Sequence, residues 1–129
     1  MLIEHATYGD AATASKVLDN DNVFRYCEFS GYSIEGGHID GAFVGCKFHG
    51  LEWYWGLFNC CVFVDCKFTQ SVFRGTSFSD CRFVDCEFLE CQFLEDNLSR
   101  SCSAEGARVY GGKAERCKGA EFLFSSVAV

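Results

Sequence analysis

Between Cys66 and Phe93 the chain reads CKFTQSVFRGTSFSDCRFVDCEFLECQF, and a phenylalanine falls at 68, 73, 78, 83, 88 and 93, always five residues apart. This period fits neither common element. An amphipathic helix repeats its apolar face at i, i+3, i+4 and i+7, and a half-buried strand alternates apolar with polar. A fixed period that is neither marks a repeat architecture, in which each unit buries its apolar side only by stacking on its neighbours. With the central bulky residue called i, one register runs through Phe43, Phe48, Trp53, Phe58, Phe63, Phe68, Phe73, Phe78, Phe83, Phe88, Phe93 and Leu98. Upstream, Phe24, Phe29, Ile34 and Ile39 keep the spacing one residue out of phase, so a single deletion near Gly41 joins the two blocks. Downstream, Cys102, Ala107, Gly112 and Cys117 continue the companion position after one inserted residue, and AEFLF at 120–124 fits ambiguously.

That companion position, i−2, holds Cys27, Cys46, Cys61, Cys66, Ser71, Thr76, Cys81, Cys86 and Cys91. A small residue, a polar one, a Phe or Leu and two variable residues resemble the pentapeptide-repeat family over about residues 23 to 124, most specifically over 41–100. The chain differs from the commonest version in preferring Cys to Ala and Phe to Leu. The resemblance implies an all-β fold, a right-handed quadrilateral β-helix in which four pentapeptides make one square coil. Side chains i and i−2 then point inward and the other three outward. Coils stack about 4.8 Å apart, so Phe48, Phe68 and Phe88 form one column and Trp53, Phe73 and Phe93 another. About five coils give a rod on the order of 25 Å long. The expected division is a β-helix over 23–129 and an N-terminal cap segment over 1–22. In the cap, DAATASKVLD at 10–19 reads as a short helix with Asp10 at its N-cap, or else as an unstructured lead-in. At the far end Phe122, Phe124, Val127 and Val129 either seal the last coil or form a homodimer contact.

Composition narrows function. Ten cysteines without a signal segment argue for a reduced, cytoplasmic protein in which thiols act as small soft hydrophobes. Cys60, Cys61 and Cys66 lie close together, but no CxxC pair exists and there are three histidines, so no metal or other cofactor is expected. No apolar run suits a membrane span, and a net charge of −7 speaks against direct binding of nucleic acid. Cys60 breaks the cysteine rule at i+2, with His49 assigned to a different face, while His5 and His38 have no evident acid partner. No catalytic constellation stands out, and the expectation is a protein that is not an enzyme.

The outward positions supply three candidate contact surfaces. Ala42, Val44, Val62, Val64 and Val84 make an apolar stripe beside Phe43, Phe63 and Phe83. Tyr54 and Trp55 project from the WYW run with Leu57 nearby, and exposed Tyr and Trp are favoured interface anchors. Asp65, Asp80, Asp85, Glu90 and Glu95 fill i+2 positions, with Glu87 beside them, as an acidic strip in which Asp65 and Asp85 share a face. Such a surface suits a protein partner: a toxin such as a nuclease, with the chain as its immunity protein. Alternatively, the resemblance implies a mimic of double-stranded DNA acting on the topoisomerase DNA gyrase. A passive scaffold is the third reading.

Overall fold

Strands of two or three residues, each broken by a sharp corner, wind the chain into a square tube. The computed structural model describes residues 1–124; Val127 and Val129 lie outside them. The strands stack as four parallel walls of a solenoid of about five turns. The first wall stacks Leu2–Glu4, Val23–Arg25, Ala42–Val44, Val62–Val64, Arg82–Val84 and Arg108–Tyr110. The second stacks Thr7–Tyr8, Glu28–Ser30, Lys47–His49, Lys67–Thr69, Glu87–Leu89 and Lys113–Glu115. Ser33–Glu35, Glu52–Tyr54, Val72–Arg74 and Gln92–Leu94 form the third wall. The fourth holds His38–Ile39, Leu57–Asn59 and Ser77–Ser79. Bridges from Gln92 to Lys118 and from Ser77 to Ser103 extend the last two walls by one level.

Strand registers locate the phase shifts. Phe43 pairs with Phe63, 20 positions on, whereas Phe24 pairs with Phe43 and Ile39 with Phe58, both 19 on. The missing residue falls at the corner around Gly41. Its φ of 124° is open to glycine, and a Cβ there would stand 2.5 Å from the Asn22 carbonyl oxygen. Later, Phe83 pairs with Val109, 26 positions on. A loop over 95–101 accounts for the excess, and it corrects the register at Leu98, which is 66% exposed rather than inside the tube.

Central side chains fill the shaft. Phe24, Phe43, Phe63 and Phe83 stack with ring centroids 4.9 to 5.0 Å apart. Phe48, Phe68 and Phe88 follow at 4.6 and 4.5 Å. Neighbouring columns meet edge-to-face, as Phe43 meets Phe48 at 5.5 Å and 65°, so both arrangements that the ring quadrupole favours are used. Trp53 keeps register with Phe73, while its indole meets Phe58 edge-on at 5.0 Å.

Cysteine suits the companion position for a reason beyond size. The Cys66 thiol donates to the Phe43 carbonyl one coil below (3.2 Å) and to the Val64 carbonyl (3.5 Å). Cys81, Cys86, Cys91, Cys102 and Cys117 repeat the contact with the coil beneath. The Thr76 hydroxyl replaces the thiol at 3.2 Å from the Trp53 carbonyl. Alanine would fill the same space and leave those carbonyls without the second donor.

Both ends are closed. Helix α1, Ala11–Leu18, buries Ala14 and Leu18 and is capped by Asp10, whose carboxylate accepts from the Thr13 N–H at 2.8 Å. The first 22 residues contain more than this helix. Leu2–Glu4 and Thr7–Tyr8 pair with Val23–Arg25 and Glu28–Phe29, so the sheets begin before residue 23. At the other end the one-turn helix α2, Glu121–Phe124, buries Leu123. It also sets Phe122 5.2 Å from Phe93 and Phe124 5.8 Å from Phe88. These three side chains seal the shaft.

Candidate binding surface

Each inward side chain leaves two outward neighbours on its strand, so every wall presents two columns. On the first wall one column runs Leu2, Val23, Ala42, Val62, Arg82, Arg108, and the other Glu4, Arg25, Val44, Val64, Val84, Tyr110. Nothing in the fold requires apolar residues at these positions. Yet Leu2, Val23, Val62 and Tyr110 are 51%, 40%, 36% and 41% exposed, and Ala42, Val44, Val64 and Val84 are half-buried between them. The stripe read from the sequence is therefore present in register and longer than expected, extended by Leu2 and Val23 at one end and Tyr110 at the other. The Arg25–Glu4 ion pair (3.5 Å) borders one end and the register pair Arg82 and Arg108 the other. Val23 and Tyr110 escaped the sequence reading because they flank the interrupted parts of the repeat.

A regular four-walled tube built from five-residue units is a strong family signature. A family model for pentapeptide repeats matches residues 61–93 in 8 copies. Over those 33 of its 129 residues the chain is similar to the pentapeptide-repeat family. Among solved structures it resembles full-length QnrB1, a plasmid-mediated fluoroquinolone resistance protein, with a TM-score of 0.62 at 14% identity. That match covers 88% of this chain and 60% of the other, so the chain spans about 60% of the length of QnrB1. Two trypsin-treated forms of QnrB1 match at 16% and 11% identity with TM-scores of 0.47 and 0.46. They cover 84% and 98% of this chain and 56% and 77% of their own. No curated protein matches the chain.

The aromatic group lies elsewhere on the tube. Tyr54 ends a strand of the third wall, Trp55 turns the corner and Leu57 opens the fourth wall. The loop over 95–101 folds back onto them. The Trp55 indole donates to Asp96 Oδ2 at 2.7 Å, and the Asn97 N–H donates to the Tyr54 hydroxyl at 3.1 Å. Asp96 Oδ1 accepts from the Leu98 and Arg100 N–H groups, each at 2.8 Å. Burial opposes ionisation of Asp96, but these donors outweigh it and hold the carboxyl below its ordinary range. Tyr54 and Trp55 thus serve in part to clamp an internal loop, while Trp55 stays 37% and Leu57 39% exposed.

The acidic residues do not form one strip. Position i+2 is the corner of the square, and Asp65, Asp80, Asp85 and Glu90 all have φ between 52° and 55°. Only Asp65 and Asp85 share a corner, between the first and second walls. Asp80 turns from the fourth wall to the first, Glu90 from the second to the third, and Glu95 leads into the 95–101 loop. Left-handed backbone favours Gly, Asn and Asp, and glycines fill the same corners at Gly45, Gly50 and Gly75. The corner conformation thus accounts for the aspartates without a partner.

The remaining chemistry-bearing residues are dispersed. Cys60 is exposed at a corner, whereas His49 on the second wall bonds through Nδ1 to the Thr69 hydroxyl at 2.6 Å. His38, expected to have no acid partner, has Asp40 at 3.5 Å. Burial pushes the Cys91 thiol up to about 12 and raises Cys102 as well.

Proposed function

We propose that this chain is a protein-binding rod, not an enzyme, and that its first wall docks against a partner protein. The observation that carries this reading is the apolar stripe from Leu2 to Tyr110, placed where the fold leaves residue choice free. Three residues at about 3.3 Å each and six strands about 4.8 Å apart make a flat wall on the order of 250 Å². A stable interface takes about 800 Å² per partner. The partner therefore grips the flanking corners and adjoining walls as well. Ten thiols free of disulfides suit a reducing compartment such as the cytoplasm.

Among partner classes, a type II topoisomerase such as DNA gyrase is favoured. The support is the family resemblance together with likeness in fold to a fluoroquinolone resistance protein. The dispersed acids argue that such binding runs through the apolar wall rather than through a copy of two phosphate tracks. The second reading, an immunity protein against a toxin such as a nuclease, draws on the net charge of −7, which speeds association with a basic active site. Purified chain added to gyrase supercoiling reactions, with and without a fluoroquinolone, tests the first reading. The expected result is inhibition or protection at micromolar concentration, lost in Val64→Asp. No effect there, with growth rescue on co-expression with a toxin encoded alongside, selects the second. Wild-type activity of Val64→Asp in both assays removes the wall as the contact surface.

A further inference from the structure

A groove of about 300 Å³ runs along the second wall, between its two outward columns, with Lys47 and Lys67 on one rim and Ser30, His49 and Thr69 on the other. Lys47 and Lys67 are direct register neighbours, an arrangement that costs free energy when like charges face the same side of a sheet. Their neutralisation is incomplete. Lys67 reaches Glu87 at 3.7 Å, but Lys113 draws on the same carboxylate at 3.8 Å, and Lys47 has no ion pair among the described residues. The opposite rim consists of hydrogen-bonding groups in register, Ser30 beside His49 and His49 beside Thr69. The Nδ1–Oγ1 bond at 2.6 Å fixes the imidazole. In the tautomer where Thr69 donates, the ring proton sits on Nε2, which is then a donor.

We propose that this groove binds a phosphate-class oxyanion. Two ammonium groups supply charge from one side, and the Ser30 hydroxyl and His49 Nε2 supply directional donors from the other. In a chain of net charge −7, this is a place where only partly neutralised positive charge and hydrogen-bonding side chains face each other across an open groove. Glu28, the register neighbour of Lys47 on the same rim, also lines the groove and opposes an anion there. The stacked pair Arg82 and Arg108 on the first wall has equal charge and no facing row of hydroxyls, so it separates a shaped site from positive charge alone. The site is independent of the partner proposed for the first wall.

Inorganic phosphate and O-phosphoserine, titrated separately into the labelled chain and followed by amide chemical shifts, test the proposal. Saturable shifts at Ser30, Lys47, His49, Lys67 and Thr69 are expected in the millimolar range. Binding of phosphate alone assigns a free ligand, and tighter binding of phosphoserine assigns a phosphorylated side chain. Lys47→Met should weaken binding roughly three- to tenfold, the worth of one charge-assisted hydrogen bond at an exposed site, with far-UV circular dichroism unchanged. Glu28→Gln should tighten it, and Arg82→Met should leave it as it was. Shifts that never saturate, or that Arg82→Met reduces as much as Lys47→Met does, overturn the proposal.

Discussion

Phe68→Ala removes one ring from the middle of the best-ordered aromatic column. Phe68 is 1% exposed and lies between Phe48 at 4.6 Å and 7° and Phe88 at 4.5 Å and 3°, with Phe63 edge-on at 5.5 Å. A buried Phe→Ala change costs about 3–5 kcal/mol. Two ring stacks of about 0.5–1.5 kcal/mol each vanish with it, so the upper part of that range, about 4–5 kcal/mol, is expected. Phe68→Leu isolates the ring effect. It keeps most of the apolar volume and loses the ring stacks, which predicts a loss of about 1–3 kcal/mol. Phe93→Ala should cost less than Phe68→Ala, because Phe93 stacks in parallel on Phe73 alone.

Urea unfolding followed by far-UV circular dichroism reads all three variants. In a solenoid each coil is stabilised by its two neighbours, so Phe68→Ala should also broaden the transition and lower its slope as the halves uncouple. If Phe68→Leu matches or exceeds the wild-type midpoint, ring stacking contributes nothing and phenylalanine serves here only as volume. If Phe68→Ala loses less than about 1 kcal/mol, far below the usual core value, the shaft is not the core.

Three further outcomes follow from the same geometry. Cys66→Ser keeps a donor to the Phe43 carbonyl and should stay within about 1 kcal/mol of wild type, whereas Cys66→Val loses the donor, overpacks the shaft and should lose about 1–3 kcal/mol by urea midpoint. Trp53 Nε1 is buried without a partner. Trp53→Phe should therefore be neutral or stabilising in thermal unfolding, since relief of an unsatisfied donor, about 1–3 kcal/mol, offsets the lost packing. Because the folded Asp96 carboxyl is held below its ordinary value, its contribution is full above the ordinary carboxylate range and fades as pH falls through the folded value. The Trp55 indole N–H resonance should report loop release at acid pH, and Asp96→Asn should abolish that transition; release on raising the pH would contradict the assignment.

The inward positions were legible because they obey a single rule. Phe43 to Phe93 occupy the shaft as the period requires, and even the missing residue near Gly41 shows in the phase of Phe24 and Ile39. Leu98 was misplaced because its register fits while its neighbours do not. Asp96 and Asn97 are committed to Trp55 and Tyr54, and a five-residue count carries no information about a bond to a residue some forty positions back. The strands before residue 23 were missed for a related reason. Ile3 and Tyr8 are five apart, but they lie 21 rather than 20 residues from their partners Phe24 and Phe29, and two hits make no period.

The outward positions obey different constraints, and this decides how the charge of the molecule is to be understood. Acidic residues at i+2 look like a designed strip in the sequence. In the tube they occupy corners whose left-handed backbone already selects aspartate, and Asp65, Asp80, Asp85 and Glu90 are spread over three of those corners. The strand flanks on the walls carry no such backbone demand, and the β-propensity that favours valine there is shared by polar threonine, so it does not by itself call for an apolar ladder. Val44, Val64 and Val84 could each be threonine without disturbing Phe43, Phe63 or Phe83 beneath them. A surface feature carries functional information only to the extent that the fold does not require it. By that measure the valine ladder of the first wall outranks the more conspicuous acids.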